Sequence, residues 1–158
     1  MPETELMARQ LVADPKEFES LRGHSHASVF DVKHVDDRKE FSDTCEAMES
    51  LGIPADSQLQ IFDVVAAVLH LGNVSIIRDQ DVADIHAPSM RNAGGLAKVH
   101  DPQAKGALKK AADLLGVDAN NLKDALVMRP AIKPGGPQNG QLSVAKAIGF
   151  KKSLAETL

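Results

Sequence analysis

The stretch with the most chemical promise is Pro134 to Gly140, where Gly135 and Gly140 have the glycine spacing of a phosphate-binding loop. In such a loop backbone amides cradle the phosphates, while a Lys and a Ser or Thr directly after the second Gly reach the terminal phosphate and its magnesium. Here Gln141-Leu142 stands where those groups are needed, and Pro137 removes an amide from the cradle. The stretch reads as a Pro/Gly turn, and no catalytic ATP site is expected in this chain. His24, His26 and His34 raise the question of a metal, because alternate residues of an extended segment face the same way. Zinc needs three or four ligands in paired spacing, and Cys45 is the one thiol that could complete the set. Cys45 falls on the apolar stripe of a predicted helix, so solvated histidines and a core thiol are the expectation.

Cys45 with a histidine as a nucleophilic pair has no accompanying oxyanion motif, and a helix-interior position does not lower a thiol pKa. His70 belongs to the end of a helix, where a proton or a carbonyl contact is mildly favourable. Asp36-Asp37 reads as a helix start, where negative charge offsets the dipole. Asp79, Asp81 and Asp84 lack the Gly and Glu of a calcium loop. No catalytic, cofactor-binding or metal-binding residue is assigned.

The elements that would position these residues are mostly helices, predicted at about 4–13, 15–22, 37–51, 55–71, 101–115, 118–128 and 144–157. Asp14-Pro15 supplies an N-cap and a Pro at the first helical position. Asp37 and Glu40 are spaced as a capping box ahead of the stripe Phe41, Thr44, Cys45, Met48 and Leu51, and Gly52 stops that helix. The run Ile61 to Leu71 is apolar nearly all round, which calls for cover on every side. The core is therefore expected to centre on Ile61, Phe62, Val65, Val68 and Leu69. Gly72-Asn73 ends this helix, and Val74 to Ile77 reads as a short strand. Asp101 and Asp118 open the next two helices, Gly116 closes the first of them, and Ser143 caps the last. Two long loops, 78–100 and 129–142, have no apolar period and carry Gly94-Gly95 and the Pro/Gly cluster. The fold class is mainly α, a helical subdomain fragment with one or two short strands and two long loops.

At 158 residues the chain has room for one core, and 43% apolar with 25% charged residues is ordinary globular composition. Five Phe with no Trp or Tyr argue against aromatic base-stacking, so nucleic acid is not an expected partner. One cysteine excludes an internal disulfide and fits a reducing, cytoplasmic setting. No apolar run approaches membrane-spanning length, so no membrane is expected either. The net charge of −4 conceals an asymmetry: residues 1–84 carry seven basic against seventeen acidic groups, residues 85–158 eleven against five. No acid lies between Asp124 and Glu156, a segment suited to an acidic partner surface.

The strings Val35-Asp36-Asp37, Phe41, Thr44, Ala47-Met48, Leu51-Gly52-Ile53, Ile61-Phe62 and Ala66-Ala67-Val68-Leu69-His70-Leu71-Gly72-Asn73 closely resemble the myosin motor domain. The resemblance continues through Ala111-Ala112-Asp113-Leu114-Leu115-Gly116-Val117 and Leu122-Lys123-Asp124-Ala125-Leu126 to Arg129, and more weakly at both ends. At the last helix Lys151-Lys152 stands where the family usually has an Arg-Asp pair. The resemblance implies an internal piece of the upper actin-binding subdomain, between the two nucleotide switches. It implies the actin filament and the remainder of the myosin heavy chain as partners, with a cytoplasmic, cytoskeleton-associated setting. Actin-activated ATP hydrolysis, with ATP and Mg as cofactors, would belong to parts of the parent motor outside this chain. Both long loops would approach the filament, making Arg129, Lys133 and Lys98 the candidate contacts. Two alternatives stay open: a stand-alone helical protein-interaction module without motor activity, and a basic-patch nucleic-acid binder.

Overall fold

The structure is a computed structural model that describes residues 1–22, 30, 33–78, 96–101, 106–128, 140 and 142–158. The long helix α4 (Ala55–Gly72) is its axis. Around it stand α1 (Glu3–Ala8), a 3-10 turn (Pro15–Glu17), α2 (Glu19–Arg22), α3 (Asp37–Ser50), α5 (Ala107–Leu115), α6 (Ala119–Val127) and α7 (Val144–Thr157). Strands β1 (Ser75–Arg78) and β2 (Ala97–His100) pair antiparallel, Ser75 opposite His100 and Arg78 opposite Ala97. The architecture is mainly helical, as the periodicity predicts.

The core lies on a different face of α4 from the one expected. Ala66, Ala67, His70 and Leu71 are its buried residues, whereas Ile61 is 39% and Val65 53% exposed, and Phe62, Val68 and Leu69 are only partly covered. The reason is the neighbour. α4 packs most extensively against α5, whose buried face is Ala107, Leu108, Ala111 and Ala112. Leu71 is the α4 residue that joins this α5 face in one core cluster. Leu71, Val74, Leu122, Leu126, Val127 and Ala147 complete the core.

Helix boundaries follow local hydrogen bonding. α1 ends at Ala8 rather than near residue 13, because Gln10 takes a left-handed φ of 54° and closes a Schellman motif. Its amide bonds Met7 O at 3.0 Å, and that of Leu11 bonds Leu6 O at 2.8 Å. The predicted helix 15–22 divides into the 3-10 turn and α2. Asp36, not Asp37, caps α3, accepting from the amides of Arg38 and Lys39 at 3.0 and 3.2 Å. Gly52 ends it at φ 78°, as expected. α5 starts at Ala107, six residues later than predicted, yet Asp101 still caps it, accepting from Ala107 N at 3.1 Å and Leu108 N at 2.8 Å. Asp118 caps α6 as expected. Ser143 occupies the N-cap of α7 without a side-chain cap bond. The predicted loop 78–100 gives up its last residues to β2. Among the described residues no helix is long and apolar enough to cross a membrane.

Candidate functional site

Of the three basic contact candidates, Lys98 is exposed on β2, paired opposite Ile77. Arg129 and Lys133 lie outside the described residues, as do His24, His26, Asp79, Asp81 and Asp84. The residues that bound the two predicted loops are described, and they meet. Arg78 pairs with Ala97 at the end of the β1–β2 ladder. Ala97 N donates to Leu142 O at 2.8 Å, and Leu142 N donates to Val127 O at 2.7 Å. Leu96 and Ser143 form an antiparallel bridge beside them. One backbone row, Arg78–Ala97–Leu142–Val127, thus closes the stems of both segments. Sequence periodicity could not show it, because each member belongs to a different element.

The signature at the end of α4 is a socket for the N-terminal segment. His70, 3% exposed, donates from Nε2 to Arg9 O at 3.0 Å, which fixes its tautomer, since a carbonyl can only accept. Phe18, 5% exposed, meets the imidazole edge-on at 6.1 Å between centroids. Burial pushes the His70 pKa below its ordinary 6.5; the bond to Arg9 works against that shift and the Lys110 ammonium adds to it. Asn73 accepts from Glu19 N at 2.7 Å and donates to Glu17 O at 3.0 Å. At Gly72 a Cβ would stand 3.0 Å from both Cβ and Oγ of Ser20, so glycine admits α2 at close range.

Two side chains that sequence reasoning did not single out for a structural role complete this region. The Arg9 guanidinium is buried and ion-paired with Glu5 and, through Nε, with Asp63 Oδ1 at 2.9 Å. That Nε–H is not aimed at the oxygen, so the contact is electrostatic rather than a hydrogen bond. Arg9 Nη2 donates to Leu59 O at 3.2 Å, and the guanidinium stands 5.9 Å from the Phe62 ring centroid, with Phe41 against that ring at 5.0 Å. Lys151 donates to Gly72 O at 3.2 Å and Val74 O at 2.8 Å, taking carbonyls that the end of α4 leaves open. Burial lowers its pKa, and the Glu19 carboxylate partly offsets this. A long basic residue near the C-terminal end of another helix was the available signal for Lys151; for Arg9 there was none.

Ser57, Gln60, Ile61, Val64, Val65, Val68, Ala155 and Leu158 line an open groove of about 550 Å³ without a charged side chain. Among the described residues no three His, Cys, Asp or Glu side chains are grouped to hold a metal. Cys45 is half-buried beside Phe41 and Arg38.

The family model of the myosin head (motor domain) matches residues 2–158. Myosin-14 of Arabidopsis thaliana is 33% identical over 93% of this chain and 9% of its own length. Myosin-1 of Mycosarcoma maydis is 30% identical over 85% of the chain and 10% of its length. The Myosin IB heavy chain of Dictyostelium discoideum is 29% identical over 85% and 11%. The chain thus spans about a tenth of the length of the curated relatives it matches.

Proposed function

The chain belongs to the myosin head (motor domain) family, and we propose that it forms an actin-facing helical part of such a motor, between the two nucleotide switches. The single observation that carries this reading is the shared stem at Ala97 and Leu142, which roots both loop segments in one place. A common stem suits the two segments to act on one partner, and residues 129–133 bring Arg129 and Lys133 with no acid among them. Lys98 stands one residue inside the ladder from the stem, opposite Ile77, and is the third candidate contact. ATP and Mg would be held by other parts of the motor, since the Gly135–Gly140 stretch lacks the Lys and hydroxyl that phosphate binding needs.

The apolar groove on α4 and α7 supports the remainder of the heavy chain as the second partner, because an uncharged surface lined by Ile61, Val65 and Leu158 calls for cover. The setting would be cytoplasmic and cytoskeletal.

Co-sedimentation with actin filaments tests the reading. Two loops offer far less than a standard interface, so binding by this chain alone is weak and fades as salt rises. Reversing Arg129 and Lys133 to Glu lowers the bound fraction at low salt and leaves the circular-dichroism spectrum unchanged. Binding indifferent to both salt and the double reversal would place the contact elsewhere and overturn the loop assignment.

A further inference from the structure

The segment from Arg9 to Arg22 is fastened to the last turn of α4 at three points. These are the Arg9 carbonyl on His70, the Glu17 and Glu19 backbone on Asn73, and Ser20 against Gly72. Phe18 covers the His70 ring between them. The Arg9 side chain holds α4 separately, further back at Leu59 O and Asp63, while these three anchors on α4 fall within four consecutive residues and form one latch. Its entry is Gln10, a residue other than glycine held at φ 54°, a conformation that L side chains populate reluctantly. We propose that this segment is an acid-released latch, closed while His70 is neutral and opened when its imidazole takes up a second proton.

The charged groups around His70 decide the direction. From α1 and the turn after it come Arg9, whose carbonyl accepts from the ring, and Glu5, which is paired to the Arg9 guanidinium. From α4 itself Asp63 is also engaged with Arg9. From α5 comes Lys110, whose charge opposes protonation. Glu19 of α2 presents its amide to Asn73. Lys151 of α7 is committed to Gly72 O and Val74 O. No carboxylate therefore pairs with His70 among these contacts, and its one recorded hydrogen-bond partner is the Arg9 carbonyl, already satisfied by the neutral ring. A second proton would add a buried cation within reach of the Lys110 charge, and the ring reaches water most directly by letting Phe18 and the Arg9 carbonyl move away.

The sign follows from proton linkage. With the closed-state pKa below 6.5, the open form binds more protons in the window below that value, so closure weakens as pH falls through it. Each pH unit in that window favours the open form by up to about tenfold, until the closed-state ring itself titrates.

Amide hydrogen exchange on the full chain at pH 7.5 and 5.5, normalised to intrinsic rates, reads this directly. Protection at Phe18, Glu19 and Leu21 is expected to drop about tenfold at the lower pH, while Leu122 and Met128 in and after α6 keep theirs. His70→Gln keeps an N–H donor near the Nε2 position without a titrating ring, and its protection is expected to be the same at both pH values. An NMR titration of the wild-type His70 ring supplies a check independent of that variant, with its midpoint expected to coincide with the loss of protection. The proposal is overturned if protection is unchanged in the wild type, if α6 opens in parallel, if His70→Gln responds to acid equally, or if the ring titrates outside the transition.

Discussion

Lys151 and Lys152 are adjacent, alike in chemistry and opposite in consequence. Lys151 reaches across α7 to two carbonyls at the end of α4, while Lys152 stays exposed with Glu156 at 3.8 Å. Lys151→Met removes the donor but keeps the stem, and is expected to cost about 1–3 kcal/mol in urea unfolding because partly buried carbonyls lose their partner. Lys152→Met should change stability by less than about 0.5 kcal/mol, since exposed ion pairs contribute little. Equal effects would mean that the carbonyl contact does not matter to the fold. The substituted Lys-Lys pair was visible in the sequence as a departure from the family pattern. Its meaning was not, because only the crossing of α7 over α4 decides which of two neighbours turns inward.

At the level of elements, helix existence and type were legible, and the ends were legible where a single residue dictates them. Gly52 and Gly116 announce their helix ends because left-handed backbone strongly favours glycine, at φ 78° and 66°. Gln10 does the same work without the announcement, so α1 was read too long. Asp101 reads as the start of its helix, whereas it stands ahead of it and its carboxylate reaches amides six and seven residues on. β2 was missed because Ala97-Lys98-Val99-His100 alternates over only four residues at the end of an aperiodic stretch, and it acquires its role from β1. The same distinction predicts opposite signs for two glycine substitutions. Gly116→Ala should destabilise by about 1 kcal/mol, having to adopt positive φ. Gly149→Ala, inside α7 with nothing within 4 Å of the added methyl, should stabilise by about 0.5–1 kcal/mol. Thermal unfolding of the two variants beside the parent checks both signs at once.

For the whole molecule, the sequence carried the family and the helical class, but not the side of α4 that this chain itself covers. An all-round apolar helix states that every face is to be buried and is silent on which neighbour buries it; Ala66, Ala67 and Leu71 are covered, and Ile61 and Val65 are left open. The isolated chain is therefore expected to self-associate at high concentration through this groove. Replacing Ile61 and Val65 together by Lys should shift sedimentation velocity toward monomer, with stability changed by about 0.5–1 kcal/mol at most. Persistent self-association in that double variant would put the sticky surface elsewhere. The candidate contacts rest on the sequence alone, on its charge and turn composition, whereas the stem of the two segments left no trace in it, since Ala97, Val127 and Leu142 are ordinary apolar residues joined only by backbone hydrogen bonds. That stem has a consequence for variation. Because the row Arg78–Ala97–Leu142–Val127 closes each segment at its base, residues inserted beyond it leave the helices where they are, and doubling the length of either costs only about 0.6 kcal/mol in closure entropy. Either segment can thus lengthen, shorten or change sign from one such protein to another, while the scaffold beneath stays as it is.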